Sequence, residues 1–129
     1  MHEDSFAFPR SHRLTRGADL QVVRREGKRI RTEHLEVRAL ASLLPHPRVG
    51  VIVPRYKHSA VDRNRLKRRL REIIRTALLP TLDLQVDVVV RALPHAYDAA
   101  FETLRVQLAR TGSAIQKVGE RKPPRAEPA

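Results

Sequence analysis

The sequence predicts an α/β domain with a partly parallel sheet, on three observations. Residues 34–43 alternate apolar and polar side chains, with Leu35, Val37, Ala39, Ala41 and Leu43 on one side, which is the period of a strand with one face on a core. Residues 59–79 place Leu66, Leu70, Ile73, Ile74, Ala77 and Leu78 at i, i+4, i+7, i+8, i+11 and i+12, one apolar stripe at the helical period. That helix lies between the β-branched run Val49, Val51, Ile52, Val53 and a second valine-rich stretch at 84–93. A strand, helix, strand order makes a βαβ unit and calls for parallel pairing.

Taken in order, residues 1–12 show no period and read as a flexible arm whose Phe6 and Phe8 are available to pack on the domain. A short helix is expected over 16–26, with Thr15 as cap, Leu20 and Val23 inward, and Gly27 in a left-handed C-terminal cap. Residues 28–31 suit a short strand. After the strand at 34–43, Pro45, His46 and Pro47 break the chain, and 48–53 reads as the return strand of a hairpin, in a central position. Ser59 is placed to cap the main helix, with Asp62 closing a capping box, and Pro80 stops it. The strand at 84–93 alternates Val86, Val88 and Val90 with Asp87 and Val89. A last helix is expected over 97–110 with Tyr97, Phe101, Leu104 and Leu108 buried, followed by a disordered basic tail at 111–129. The single domain is therefore 13–110. A chain of 129 residues suits one such domain, burying roughly two thirds of its unfolded surface.

Charge narrows the function. The chain has 26 Lys and Arg against 14 Asp and Glu, a formal net charge of +12 and a pI near 11.4. This is the footprint of a nucleic-acid binder. Between residues 55 and 75 there are nine Lys or Arg against Asp62 and Glu72 alone, so the i,i+4 pairing that makes a solvated face inexpensive is largely missing. Asn64, Arg68, Arg71 and Arg75 form a row opposite the apolar stripe, flanked by Arg63, Arg65, Lys67 and Arg69. Uncompensated cations held on one face call for an anionic partner. Arg predominates over Lys, which fits RNA through planar, bidentate contacts with phosphate; a GC-rich genome produces the same bias.

Other classes recede. No apolar run approaches the ~20 residues that span a bilayer, so no membrane role is expected. There is no Cys, which removes disulfides, zinc fingers and thiol nucleophiles and fits a reducing cytoplasm. The first ten residues lack the apolar segment of a signal peptide. The six His, at 2, 12, 34, 46, 58 and 95, show no metal-ligand spacing, and the carboxylates do not cluster. No catalytic residue and no protein-bound metal are expected.

The stretch RVGVIVPRYKHSAVDRNRLKRRLREIIR, residues 48–75, resembles the signature region of the bacterial ribonuclease P protein subunit. Arg-Asn-Arg alone is a weak signal; RNRLKRRLRE after a G-x-x-V strand, in a basic chain of this length, is a specific one. The resemblance reaches Arg13-Leu14, Arg91 and the element order over about residues 10–110.

It implies an α/β two-layer sandwich of order α-β-β-β-α-β-α with a left-handed βαβ crossover, similar to the second domain of ribosomal protein S5. The general preference for right-handed crossovers points the other way. It further implies a non-catalytic cofactor, one protein per RNA, of a ribozyme that removes the 5′ leader of precursor tRNA, with Mg²⁺ at the RNA active site. Arg63, Asn64, Arg65, Lys67 and Arg68 match the basic helix that lies against the catalytic RNA. Arg71 and Arg75 continue that face, and Arg55 and Lys57 belong to the basic loop before it. A second surface, for the single-stranded leader, maps to Arg13, Leu20, Arg24 and Arg38. The last three stand where the family commonly has aromatic rings, and Arg planes can stack on bases in their place.

Two other functions compete with this reading. A structural RNA-binding protein of ribosomal type would cofractionate with ribosomal subunits rather than with one discrete RNA. DNA binding through the basic helix is weaker, because no helix-turn-helix partner precedes it.

Overall fold

The computed structural model describes residues 8–120. Helix α1 (Gly17–Glu26) leads into strands β1 (Lys28–Arg31), β2 (Leu35–Ala41) and β3 (Arg48–Ile52); helix α2 (Ala60–Ile73), strand β4 (Val86–Ala92) and helix α3 (Phe101–Gly119) follow. One four-stranded sheet has the order β1-β2-β4-β3. β1 and β2 are antiparallel, β2 and β4 antiparallel, and β3 and β4 parallel. The α/β class and the parallel βαβ unit are those read from the sequence.

The expected hairpin of β2 with β3 does not form, and β3 is an edge strand, not a central one. β4 separates the two. Its five buried valines and alanines include the consecutive Val88, Val89 and Val90, so both of its faces are covered. A strand buried on both faces takes the middle of the sheet, whatever its place in the chain.

The alternation along the strands builds two cores. Leu35, Val37, Ala39, Val49, Val86, Val88 and Val90 face α2 and α3 and meet Leu66, Leu70, Ile73, Ile74, Leu78, Leu104 and Leu108. On the other face Val89 packs with Leu14 and Val23 under α1, joined by Leu20, Leu40 and Ile52. Arg48 pins this smaller layer, donating to Asp87 at 2.7 and 3.0 Å and to Asp19 of α1 at 3.4 Å. The Asp87 hydrogen bond is the largest of the contacts that hold its guanidinium firmly charged.

Ser59 caps α2 as expected, its hydroxyl accepting from the Asp62 amide at 3.1 Å. The Asp62 carboxylate does not complete the box toward Ser59; it pairs with His58 at 3.6 Å and Arg65 at 4.0 Å. Past Ile73 the helix widens into a five-residue turn of π geometry, Ile74–Leu78, and then tightens over Leu79–Thr81. The apolar stripe survives this change of winding, because Ile74 and Leu78 remain fully buried.

Three further expectations change. α1 begins without a side-chain cap, at Arg16 rather than Thr15. Gly27 is extended at φ −74°, and its requirement for glycine is space: a Cβ there would lie 2.5 Å from the Val23 carbonyl and 3.1 Å from that of Ala39. α3 starts later and ends later than 97–110. Tyr97 belongs to the preceding 3₁₀ turn, Pro94–Asp98, and Phe101 is 37% exposed. The buried row instead runs Leu104, Leu108, Thr111, Ile115, Val118, so residues 111–119 of the expected tail are helical. Gly112 sits inside α3, where a Cβ would lie 3.4 Å from the Thr81 hydroxyl. Residues 121–129 lie outside the described residues.

The expected arm at 1–12 is also partly structured. Phe8 is buried, residues Arg10–His12 form a 3₁₀ turn, and Arg13 bridges to Val49 beside β3. Phe6 lies outside the described residues.

Candidate nucleic-acid interface

The outer side of α2 is built by the helical period. With Leu66, Leu70 and Ile73 buried, Asn64, Arg65, Arg68 and Arg69 point outward and Lys67 and Arg71 lie half-buried along the border. Among the described residues, Lys67, Arg68, Arg69 and Arg71 enter no ion pair. Val61, Asn64, Lys67, Arg68 and Arg71 line a shallow groove on this face. Burial, and then the charges of Arg71 and Arg63, push the Lys67 ammonium below its ordinary pKa of 10.5. Its neighbours repel it.

Not every cation of the expected set is of this kind. Arg63 turns inward, its Nε donating to the Val53 carbonyl at 2.8 Å. Arg75 is paired with Glu72 at 2.5 Å, and Arg65 stands 4.0 Å from Asp62. Arg55 and Lys57 are exposed on the turn between β3 and α2. The single helical face of the sequence reading is therefore a centre of unpaired charge with tethered cations at its margins.

The four residues expected in the second surface separate into two places. Arg24 and Arg38 come together with Gln21, Arg25 and Glu36 around an open groove of about 600 Å³ between α1 and the uncovered part of the sheet. Glu36 lies between Arg29 at 3.6 Å and Arg38 at 3.8 Å. Arg13 and Leu20 do not join them. They line a smaller cavity of about 160 Å³ at the β3 edge, with Phe8 and Gly50, which opens toward Lys67 and Arg71 of α2. The Arg13 guanidinium lies over the Phe8 ring at 5.5 Å, and its Nε donates to the Phe8 carbonyl at 3.0 Å.

Gln21, Arg25, Glu36, Phe8 and Gly50 are additions to the expected set. Glu36 was within reach of the alternation in β2, which puts it on the same side of the sheet as Arg38. Phe8 was expected to pack on the domain, but where it packs depends on the N-terminal segment crossing the β3 edge.

Among the described residues, no three His, Asp or Glu side chains gather where they would hold a metal ion. No described helix is long and apolar enough to cross a membrane. What the arrangement offers is a cationic face on α2, a small cavity that borders it at Lys67 and Arg71, and a separate, largely cationic groove beside α1.

Comparison with known proteins agrees in kind. Residues 8–116 match the sequence model of the Ribonuclease P family. The ribonuclease P protein component of Syntrophobacter fumaroxidans is 40% identical over 92 residues, 71% of this chain and 77% of that protein. That of Acidothermus cellulolyticus is 38% identical over 105 residues, covering 80% and 87% of the two chains. Among solved structures, the ribonuclease P protein of Thermotoga maritima superposes with a TM-score of 0.66 at 28% identity, over 76% of this chain and 96% of its own. The Staphylococcus aureus protein, at 24% identity and a TM-score of 0.66, has the same fold over 84% of this chain and 98% of its own.

Proposed function

The chain belongs to the ribonuclease P protein family, and from that premise we propose how its surfaces serve the removal of the 5′ leader from precursor tRNA. As the protein subunit of ribonuclease P it takes part in tRNA processing with the ribonuclease P RNA. Family membership sets aside the ribosomal-type and DNA-binding alternatives.

The α2 face, with Asn64, Arg65, Lys67, Arg68 and Arg71, docks on the catalytic RNA, and Arg63 and Arg75 border it. Arg55 and Lys57 extend the contact from the preceding turn. One observation carries this assignment: Lys67, Arg68 and Arg71 line one groove without a counter-ion among the described residues, and the Lys67 ammonium is disfavoured by burial and then by the charges of Arg71 and Arg63. Phosphates supply the missing charge, and each bound phosphate relieves repulsion within the free protein.

The groove of Arg24 and Arg38 takes the single-stranded leader, with guanidinium planes stacking on bases or pairing with phosphates. Arg13 and Leu20 line the smaller cavity with Lys67 and Arg71 and offer the leader a second contact at the β3 edge. On the strength of family membership we assign the bond-breaking step and its Mg²⁺ to the RNA, with one protein per RNA in the cytoplasm.

The leader assignment predicts a length-dependent defect. Arg24→Ala with Arg38→Ala weakens binding of a precursor with a leader of about five nucleotides by ~10- to 100-fold, at one to two decades for two charged contacts. Binding of mature tRNA by the same holoenzyme is unchanged. Equal losses for precursor and mature tRNA would remove the groove from leader recognition.

A further inference from the structure

The turn joining β3 to α2 is strained and heavily tethered. His58 N–H donates to the Arg55 carbonyl at 2.7 Å, and the two central residues, Tyr56 and Lys57, have φ of 48° and 77°. Positive φ at both central positions marks a type I′ turn, whose usual occupants are Asn and Gly. Among the described residues, Tyr56 and Lys57 are the two non-glycine residues in this region of φ. Each carries a Cβ that the left-handed conformation crowds.

Strain of this kind persists only where the surroundings over-determine the backbone. Here two side chains capture consecutive carbonyls at the entry to the turn. Arg63 Nε donates to the Val53 carbonyl at 2.8 Å and Tyr97 Oη to the Pro54 carbonyl at 2.7 Å. Tyr56 Oη donates to the Ala92 carbonyl at 3.1 Å, tying the tip of the turn to the end of β4. The His58 ring stacks on Tyr97 with centroids 3.8 Å apart and planes within 3°. Burial raises the Tyr97 phenol above its ordinary pKa, so it stays a donor throughout the physiological range.

A glycine in place of Lys57 would relieve the backbone without any of these contacts. Keeping a lysine there is costly to folding, and its cation stands exposed at the tip beside Arg55. We propose that Tyr97 and Tyr56 are positioning residues for RNA docking, which hold the strained 55–58 turn in the one shape that presents Arg55 and Lys57 together to the catalytic RNA. The inference rests on the reading that Arg55 and Lys57 touch that RNA. A pre-formed backbone spares the complex the ordering of the turn on binding. The tyrosines touch no RNA themselves; they act through the two cations.

The test is a cycle of full-length variants, each titrated with the ribonuclease P RNA of the same organism over a range of salt and checked by thermal unfolding. Tyr97→Phe removes the hydroxyl alone. Its affinity falls ~3- to 10-fold, as for the loss of one hydrogen bond. Its salt dependence becomes shallower by about one contact. In an Arg55→Ala, Lys57→Ala background the same substitution costs nothing more. Tyr56→Phe behaves alike and serves if Tyr97→Phe unfolds. An equal loss in both backgrounds, or a lowered melting temperature with unchanged affinity and slope, overturns the positioning role. If the Arg55→Ala, Lys57→Ala protein binds as tightly as the parent, the docking assignment of the turn fails first, and the positioning role with it.

Discussion

Replacing Lys67, Arg68 and Arg71 together by Ala lowers affinity for ribonuclease P RNA by ~100- to 500-fold in 0.1 M salt, and the protein remains at least as stable as before. The size follows from counter-ion release. Each phosphate contact contributes ~0.7–0.9 to the slope of log K against log salt. Three lost contacts therefore remove ~2.1–2.7 decades of affinity between 1 M and 0.1 M salt.

The unusual part is the sign on stability. Lys67 is held below its ordinary pKa by burial first and by Arg71 and Arg63 next. Because its folded pKa is depressed, the unfolded chain binds the proton more readily below pH 10.5, and stability rises as pH increases through that window. Removing the cluster relieves the same repulsion at neutral pH. Filter binding across salt and a thermal melt read the two effects separately. Loss of affinity accompanied by loss of fold would mean that these cations are structural after all.

Gly50→Ala is expected to destabilise the protein by about 2–3 kcal/mol, lowering the melting temperature by roughly 10 °C. A Cβ at Gly50 would lie 2.4 Å from the Leu14 carbonyl oxygen and 2.7 Å from Leu20 Cδ2. The leucine side chain can turn, but the backbone oxygen belongs to a segment pinned by the Leu14 amide bond to the Val49 carbonyl at 3.0 Å. The N-terminal segment must therefore lift from the β3 edge, carrying with it the buried Leu14 and the adjacent Arg13. Gly17→Ala is the control. Nothing lies within 4 Å of a Cβ there, and in the first turn of α1 alanine is neutral or stabilising. Equal melting temperatures for the two variants would refute the close approach at Gly50.

How far the sequence alone carried the reading depends on whether a property is local. The stripe of Leu66, Leu70 and Ile73 in α2, continued by Ile74 and Leu78 in the wider turn, was legible because its spacing in the sequence is helical and the core needs every member. Likewise the alternation in β2 and β4 placed Val37 and Val88 inward without knowledge of partners. Pairing was not legible. β3 and β2 are neighbours in the chain, yet β4 lies between them, a contest settled by how much of each strand the two helical layers can bury. The end of α3 was missed because the polar composition of 111–129 outweighed Thr111, Ile115 and Val118, which continue the buried row at the helical period and, for Ile115 and Val118, join the main core.

The same distinction runs through the interface. That residues 55–75 form a cationic surface follows from composition and period. Which cations are available to a partner depends on distant acceptors, such as the Val53 carbonyl that engages Arg63. Arg13 was grouped with Arg24 and Arg38, but its position is decided by where the N-terminal segment crosses β3, at the one residue there without a side chain. The resemblance in residues 63–72 carried the functional class, and the geometry separates the cations there into unpaired ones, such as Arg68, and tethered ones, such as Arg63.

Reconstitution tests the central claim most directly: the purified protein, the ribonuclease P RNA, and both together are incubated with precursor tRNA at low millimolar Mg²⁺. The account predicts no cleavage by the protein alone and accurate removal of the 5′ leader by the pair, faster than by the RNA alone. Cleavage by protein freed of RNA, or a pair no more active than the RNA, would contradict it.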